Sequence, residues 1–281
     1  MHRTVGIVLV GGRSSRMGSP KALLEWHGST LVRRVAGIVA RGVDGPVVLV
    51  RAPGQALGCL PDSFDVLDDV EEGKGPLGGL CVGLEALADR GEIAYVSSTD
   101  APLLHPAFVR RVVGEVSEEI DACVPYVRGF RQPLAAAYRV SLAPLVADLL
   151  AADRLRPSFL LEACRWSDLD DVALLADPDV ARFDPGLDSV TNLNNQADYE
   201  AARAGPAPEV QVECFGVLRA PGRRGRVTIH AATLGSAADA VGVPLNPHVV
   251  AALNGDQISR DPEEPLAQGD VVSFVSAEAG G

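Results

Sequence analysis

Short runs of consecutive apolar residues alternate along the chain with longer stretches of helical apolar spacing. Residues 5–10 form the first such run, and others stand at 46–51, 92–98 and 121–126. Apolar residues at consecutive rather than alternate positions predict strands covered on both faces. Between and after them the spacing predicts helices over 30–41, 77–89, 106–116, 141–152 and 195–204. This alternation predicts an α/β fold, a Rossmann-like and mostly parallel sheet flanked by helices. Ligands of such sheets sit beyond the carboxyl ends of the strands. Gly11, Gly12 and Asp100 all fall at predicted strand ends.

The texture changes at 205–208, Gly-Pro-Ala-Pro, a small linker that marks a domain boundary. The expected organisation is a first domain over 1–204 and a second over 209–281. In the second, strands are predicted at 210–215, 226–230, 249–253 and 271–275, with one short helix at 234–241. That order is β-grasp-like, an α+β unit of about 70 residues, large enough for its own core.

Composition narrows the function. The chain has 281 residues, 47% of them hydrophobic, and a formal charge of −12. Such a charge argues against a nucleic-acid surface, so a local cluster of cations points to a small anionic ligand. The five cysteines, Cys59, Cys81, Cys123, Cys164 and Cys214, form no C-x-x-C and read as small buried residues. The N-terminal apolar run is shorter than a signal-peptide core, and no stretch approaches a membrane span. A cytoplasmic protein without membrane partners is expected.

The chemistry concentrates after the first strand. Gly11-Gly12 can bring bare backbone N–H groups against an anion, and Arg13, Arg16 and Lys21 supply charge suited to a triphosphate. Lys21 is followed by Ala22, so this is not a Walker loop, and no Gly-x-Gly-x-x-Gly is present. Asp100, within Ser97-Ser-Thr-Asp-Ala-Pro102, places a carboxylate at the sheet mouth, where Mg²⁺ takes one or two carboxylates together with water and substrate phosphates. The same Asp reads equally as a turn cap before Pro102. Gly75-Pro76-Leu77-Gly78-Gly79 opens a helix whose free N–H groups can meet a phosphate or base. Asn192, Asn194 and Asp198 precede the helix at 195–204, where an Asn also serves as an N-cap.

Leu9 to Lys21, with its Gly-Gly, Ser, Arg-Met-Gly and Lys, resembles the signature of the molybdenum cofactor guanylyltransferase family and its nucleotidyltransferase relatives. Val10 stands where alanine is usual. The resemblance implies transfer of GMP from GTP to the terminal phosphate of molybdopterin, with Arg16, Lys21 and Asp100 catalytic and Asp100 holding Mg²⁺. Leu9, Gly11, Gly12, Arg13 and the Pro76–Gly79 segment would bind the nucleotide, Gly78 replacing the family's alanine. Asn192 and Asn194 would lie on the acceptor side, and Arg131-Gln-Pro-Leu134 loosely matches a segment near it, though an exposed turn explains it as well. The Arg-Met-Gly-Ser-Pro-Lys run also occurs in cytidylyltransferases and sugar nucleotidyltransferases, so GTP rests on the helix-opening segment.

The Phe215-Gly-Val-Leu-Arg segment, Leu253-Asn-Gly-Asp, Leu266-Ala-Gln-Gly-Asp270 and the end Gly280-Gly281 resemble the small sulfur-carrier subunit of molybdopterin synthase, a ubiquitin-like family. The thiamine sulfur carrier is the near competitor. This implies a thiocarboxylate on Gly281, an activating enzyme and the synthase large subunit as partners, and a fusion of two steps of one biosynthesis. The rival reading is a sulfur carrier or interaction protein with an inactive nucleotide-binding domain.

Overall fold

Residues 5–10 are apolar because helices cover both faces of the strand they form. The computed structural model describes residues 2–11, 20–69, 74–218 and 225–276. Strand β1 (Thr4–Leu9) is buried throughout and is followed by a small hairpin, β2 (Glu25–Trp26) with β3 (Ser29–Thr30), and helix α1 (Leu31–Gly42). Then come β4 (Val47–Arg51), β5 (Phe64–Asp68), α2 (Gly75–Ala86), β6 (Ile93–Ser98) and α3 (Pro106–Val113). Strands β7 (Ala122–Val127), β8 (Phe130–Arg131) and β9 (Ala135–Arg139) lead to α4 (Ala143–Ala151) and α5 (Pro157–Ala163). Strand β10 (Trp166–Asp170) precedes α6 (Asp171–Leu175), α7 (Pro178–Phe183) and α8 (Gln196–Arg203).

These strands form one sheet in the order β10-β7-β9-β6-β1-β4-β5, with β8 paired to β7. Its pairings are parallel except those of β9 and β8. Side chains of β1 alternate between two cores. Val8 joins Val35, Val39 and Phe108 of α1 and α3, while Ile7 and Leu9 join Leu80 and Leu84 of α2. A Cβ on Gly83 would lie 2.7 Å from the Ile7 side chain, and one on Gly6 would lie 2.5 Å from Val39. The two helices thus close on β1 at glycine contacts.

A second sheet comprises β11 (Glu209–Cys214), β12 (Val227–His230), β13 (Val249–Leu253), β14 (Gln257–Ser259) and β15 (Val271–Ser276), with α9 (Leu234–Val241) after β12. Its order is β12-β11-β15-β13-β14, β11 and β15 being parallel and the other pairs antiparallel. Val210, Val212, Leu234, Leu253, Val272 and Phe274 fill a core distinct from those of the first sheet. A capping box of Thr233 and Ser236 starts α9, and Gly242 in the left-handed conformation ends it.

Helix α1 lies between the two sheets. A Cβ on Gly37 would meet the Pro265 ring at 2.4 Å. Arg33 pairs with Asp261 and Glu263. Arg41 grips Asp270 through both nitrogens, one at 2.8 Å. Burial pushes Asp270 up, but the charge and hydrogen bonds of Arg41, with bonds from Ala267 and Asn254, outweigh it and hold this carboxyl below its usual range.

Several expected elements are displaced, and others were not foreseen. The helix expected over 77–89 begins at Gly75 and ends at Ala86. That expected over 106–116 stops at Val113, before Gly114. The one expected over 141–152 starts as a 3₁₀ turn, Val140–Leu142. Strands β5 and β10 escape the apolar-run criterion because they are sheet edges with polar positions, and β9 because alanine dominates it. Cys59 is exposed, and Cys164 and Cys214 are only partly covered, so burial holds for Cys81 and Cys123 alone. No described helix is long and apolar enough to cross a membrane.

Candidate active site

Strands β1 and β6 are parallel neighbours in register, Leu9 opposite Ser98, so the segments that follow them open at the same edge of the sheet. Gly11 follows β1, and a Cβ there would lie 3.4 Å from the backbone nitrogen of Ala52. Asp100 follows β6. Lys21 begins the 3₁₀ turn Lys21–Leu23, and its Nζ donates to Asp100 Oδ2 at 3.2 Å. Ser98 Oγ donates to the other carboxylate oxygen. The Lys21 and Asp100 side chains are 20% and 24% exposed, so the pair is partly sheltered. Gly12, Arg13 and Arg16 lie outside the described residues.

Helix α2 opens at the same edge. A Cβ on Gly79 would stand 3.0 Å from Leu9 Cδ2 and 3.6 Å from Val50 Cγ1, which sets Pro76, Leu77, Gly78 and Gly79 beside the end of β1. Gly75 takes a positive φ of 65° and Pro76 occupies the first turn, a start that leaves backbone N–H groups directed outward. A Cβ on Gly78 would meet Lys74 Cβ at 3.0 Å and Asp69 Oδ1 at 3.2 Å. Asp69 therefore stands against Gly78 at the start of α2, a neighbour the sequence reading did not single out. Its only signal was an acidic residue just beyond a strand and just before the glycine-rich helix start, and that strand, β5, was not foreseen.

The segment expected on the acceptor side is joined to the Asp100 loop through the backbone. Leu193 N donates to Asp100 O at 2.8 Å. Leu193 is buried with Trp26, Leu31 and Tyr199, which leaves Asn192 and Asn194 exposed on either side of it. Asn195 caps α8 by accepting from Asp198 N at 2.9 Å, and Asp198 accepts in return from Asn194 N at 3.1 Å and Asn195 Nδ2 at 2.9 Å. Arg131 lies in β8 and is not a free turn residue. It bonds Asp168 twice at 3.1 Å and stacks 4.8 Å from the Trp166 ring.

Among the described residues no group of three or more His, Cys, Asp or Glu could by itself hold a metal ion. The donor set fits a hard cation that leaves most of its positions to water and phosphate. Asp100 offers a partly exposed carboxylate, and oxygen ligands beyond it would come from the substrate, as Mg²⁺ prefers.

The sequence pattern of the MobA-like NTP transferase domain matches residues 6–166. A probable molybdenum cofactor guanylyltransferase of Bacillus cereus is 31% identical over 209 residues, which take in 72% of this chain and 97% of that protein. The corresponding protein of Bacillus mycoides is 30% identical over the same shares. Among solved structures, molybdopterin-guanine dinucleotide biosynthesis protein A from Archaeoglobus fulgidus superposes with a TM-score of 0.57 at 22% identity, over 71% of this chain and 96% of that one. A nucleotidyl transferase from Methanothermobacter thermautotroptrophicus gives 0.51 at 20% identity, over 72% of this chain and 96% of its own. Both structures share the fold of the first sheet.

Proposed function

This chain belongs to the MobA-like NTP transferase domain family and is a nucleotidyltransferase, and from that premise we propose that it transfers GMP from GTP to the terminal phosphate of molybdopterin or its molybdenum form. The observation that carries the reading is the pairing of Lys21 with Asp100, residues distant in sequence, at the shared mouth of β1 and β6. An oxygen of the acceptor phosphate attacks the α-phosphorus of GTP, a new P–O bond forms, the α–β bridging bond breaks and pyrophosphate leaves. A phosphate monoester has a second pKa of about 6 and is mostly ionised at neutral pH, so no general base is needed. Catalysis then rests on position and charge.

Lys21 and Arg16 neutralise the phosphates, and the backbone of Gly11, Gly12 and Arg13 cradles them. Asp100 would hold Mg²⁺, which would neutralise charge on the phosphate oxygens and the departing pyrophosphate. Pro76 to Gly79 border the base, with Asp69 beside Gly78. Asn192 and Asn194 line the acceptor side. A cytidylyl or sugar-phosphate transferase would use the same phosphate chemistry and differ at the Gly78 border. Incubation of the full chain with Mg²⁺, GTP and molybdopterin tests the reading: pyrophosphate release that requires the acceptor is expected, and release that ignores it would refute the assignment.

A second activity is proposed for the C-terminal sheet. Its order, with the first and last strands parallel at the centre and one helix crossing, supports the β-grasp, ubiquitin-like reading and the two-domain division at 205–208. A sulfur carrier of that kind would present Gly280 and Gly281, which lie outside the described residues, to an activating enzyme and to the large subunit of molybdopterin synthase.

A further inference from the structure

The segment from Asp100 to His105 is fastened at both ends and in the middle. Asp100 O accepts from Leu193 N at 2.8 Å. His105 N donates to Ser189 Oγ at 3.0 Å. Between them, the Pro102 carbonyl accepts from Arg34 Nε at 3.0 Å. Arg34, buried in α1, donates with another nitrogen to the carbonyls of Leu266 and, at 3.5 Å, of Ala232. Those two carbonyls belong to the segments before β15 and α9, so one guanidinium joins the Asp100 loop to both.

The His105 ring makes a second link. Its Nδ1 accepts from Ala107 N at 3.1 Å, which leaves Nε2 to donate to Gln268 O at 3.0 Å. The C-terminal sheet therefore touches the Asp100 loop at two points, Pro102 through Arg34 and His105 directly.

We propose that Arg34 is a positioning residue for nucleotidyl transfer, coupling the docked C-terminal sheet to the loop that carries Asp100. The proposal rests on the function proposed above for Asp100. A buried cation whose hydrogen bonds among the described residues go to carbonyls is costly compared with an apolar side chain of the same volume, and burial, reinforced by Arg41 and opposed by Asp270, pushes its pKa down to about 10. Its planar fork reaches three carbonyls in fixed directions, which a lysine cannot do. The relatives are covered almost end to end by alignments spanning 72% of this chain. Arg34 and Pro102 both lie within residues 6–166, the part matched by the family pattern.

The test uses the full chain with Arg34→Met, Arg34→Lys and, as a control, Arg33→Ala, which loosens the pairs with Asp261 and Glu263 without touching the loop. Three measurements apply: steady-state kinetics, Mn²⁺ titration in the presence of GTP followed by electron paramagnetic resonance, and amide exchange. Misplacement by about 1 Å costs on the order of a hundredfold, so Arg34→Met should lower kcat by about ten- to a hundredfold. KM for GTP should stay within about threefold, and Mn²⁺ affinity should fall. Exchange should quicken at Leu104 and Leu193, whose amides bond within and onto the loop. Arg34→Lys should fall between, and Arg33→Ala should match the parent in all three.

Unchanged kcat, Mn²⁺ affinity and loop exchange in Arg34→Met, with only a lower Tm, would overturn the proposal. If Arg34→Met does not fold, Arg34→Lys decides by the same criteria. A parent chain inactive with every nucleotide would refute the proposed function instead, and the exchange measurement would still test the coupling.

Discussion

At the scale of single residues, transfer depends on Lys21 and Asp100 acting on charge that concentrates at the reacting phosphates. Removing one such contact costs about 3 kcal/mol, roughly a hundredfold. Lys21→Ala and Asp100→Ala should each lose that factor in kcat/KM while the Tm stays near the parent's, since the pair is partly exposed and its loss opens no cavity. Near-normal turnover of Asp100→Ala with Mg²⁺ present would remove this residue from the metal site. The sequence singled out both residues, because the cation cluster and the lone Asp each follow a buried strand, and the structure pairs them. Asp69 was not singled out, since its place beside Gly78 exists only once β5 has aligned with β4.

At the scale of elements, β1 and β6 were legible because helices cover both of their faces, whereas β5, β9 and β10 carry no apolar run that separates them from loops. The docking role of α1 was hidden for a related reason. Arg33, Arg34 and Arg41 resemble the solvated face of any surface helix until the second sheet covers them. The contact between α2 and β1 yields a sharper expectation. Gly83→Val would drive a side chain into Ile7, and overpacking of this kind costs about 1–3 kcal/mol. Urea denaturation should show that loss with an unchanged m-value.

The cap of α3 carries a pH signature. Burial pushes His105 down to about 4, against opposing influences from Gln268 and Asp270, with Arg41 and Arg110 adding to the depression. Because the folded value lies below the unfolded one of about 6.5, the unfolded chain takes up the proton first as pH falls. The stability this histidine contributes is complete above pH 6.5 and is lost progressively down to about pH 4, on the order of 3 kcal/mol in all. His105→Gln should flatten the stability profile across that window relative to the parent. Parallel profiles would show that another group carries the dependence.

At the scale of the whole molecule, two sheets with separate cores are joined through α1, and the two proposed activities should separate by substitution. Deleting Gly281 should abolish thiocarboxylate formation by an activating enzyme, read by intact mass, and leave nucleotidyl transfer at the parent rate. Transfer lost together with the thiocarboxylate would show that the two activities are not separable. An equimolar mixture of the four NTPs, supplied with Mg²⁺ and molybdopterin to the full chain and analysed by product mass, tests the transfer and its nucleotide most directly. A GMP adduct of molybdopterin should be the main product, with an equivalent of pyrophosphate, whereas a dominant CMP adduct, or no adduct at all, would contradict guanylyl transfer.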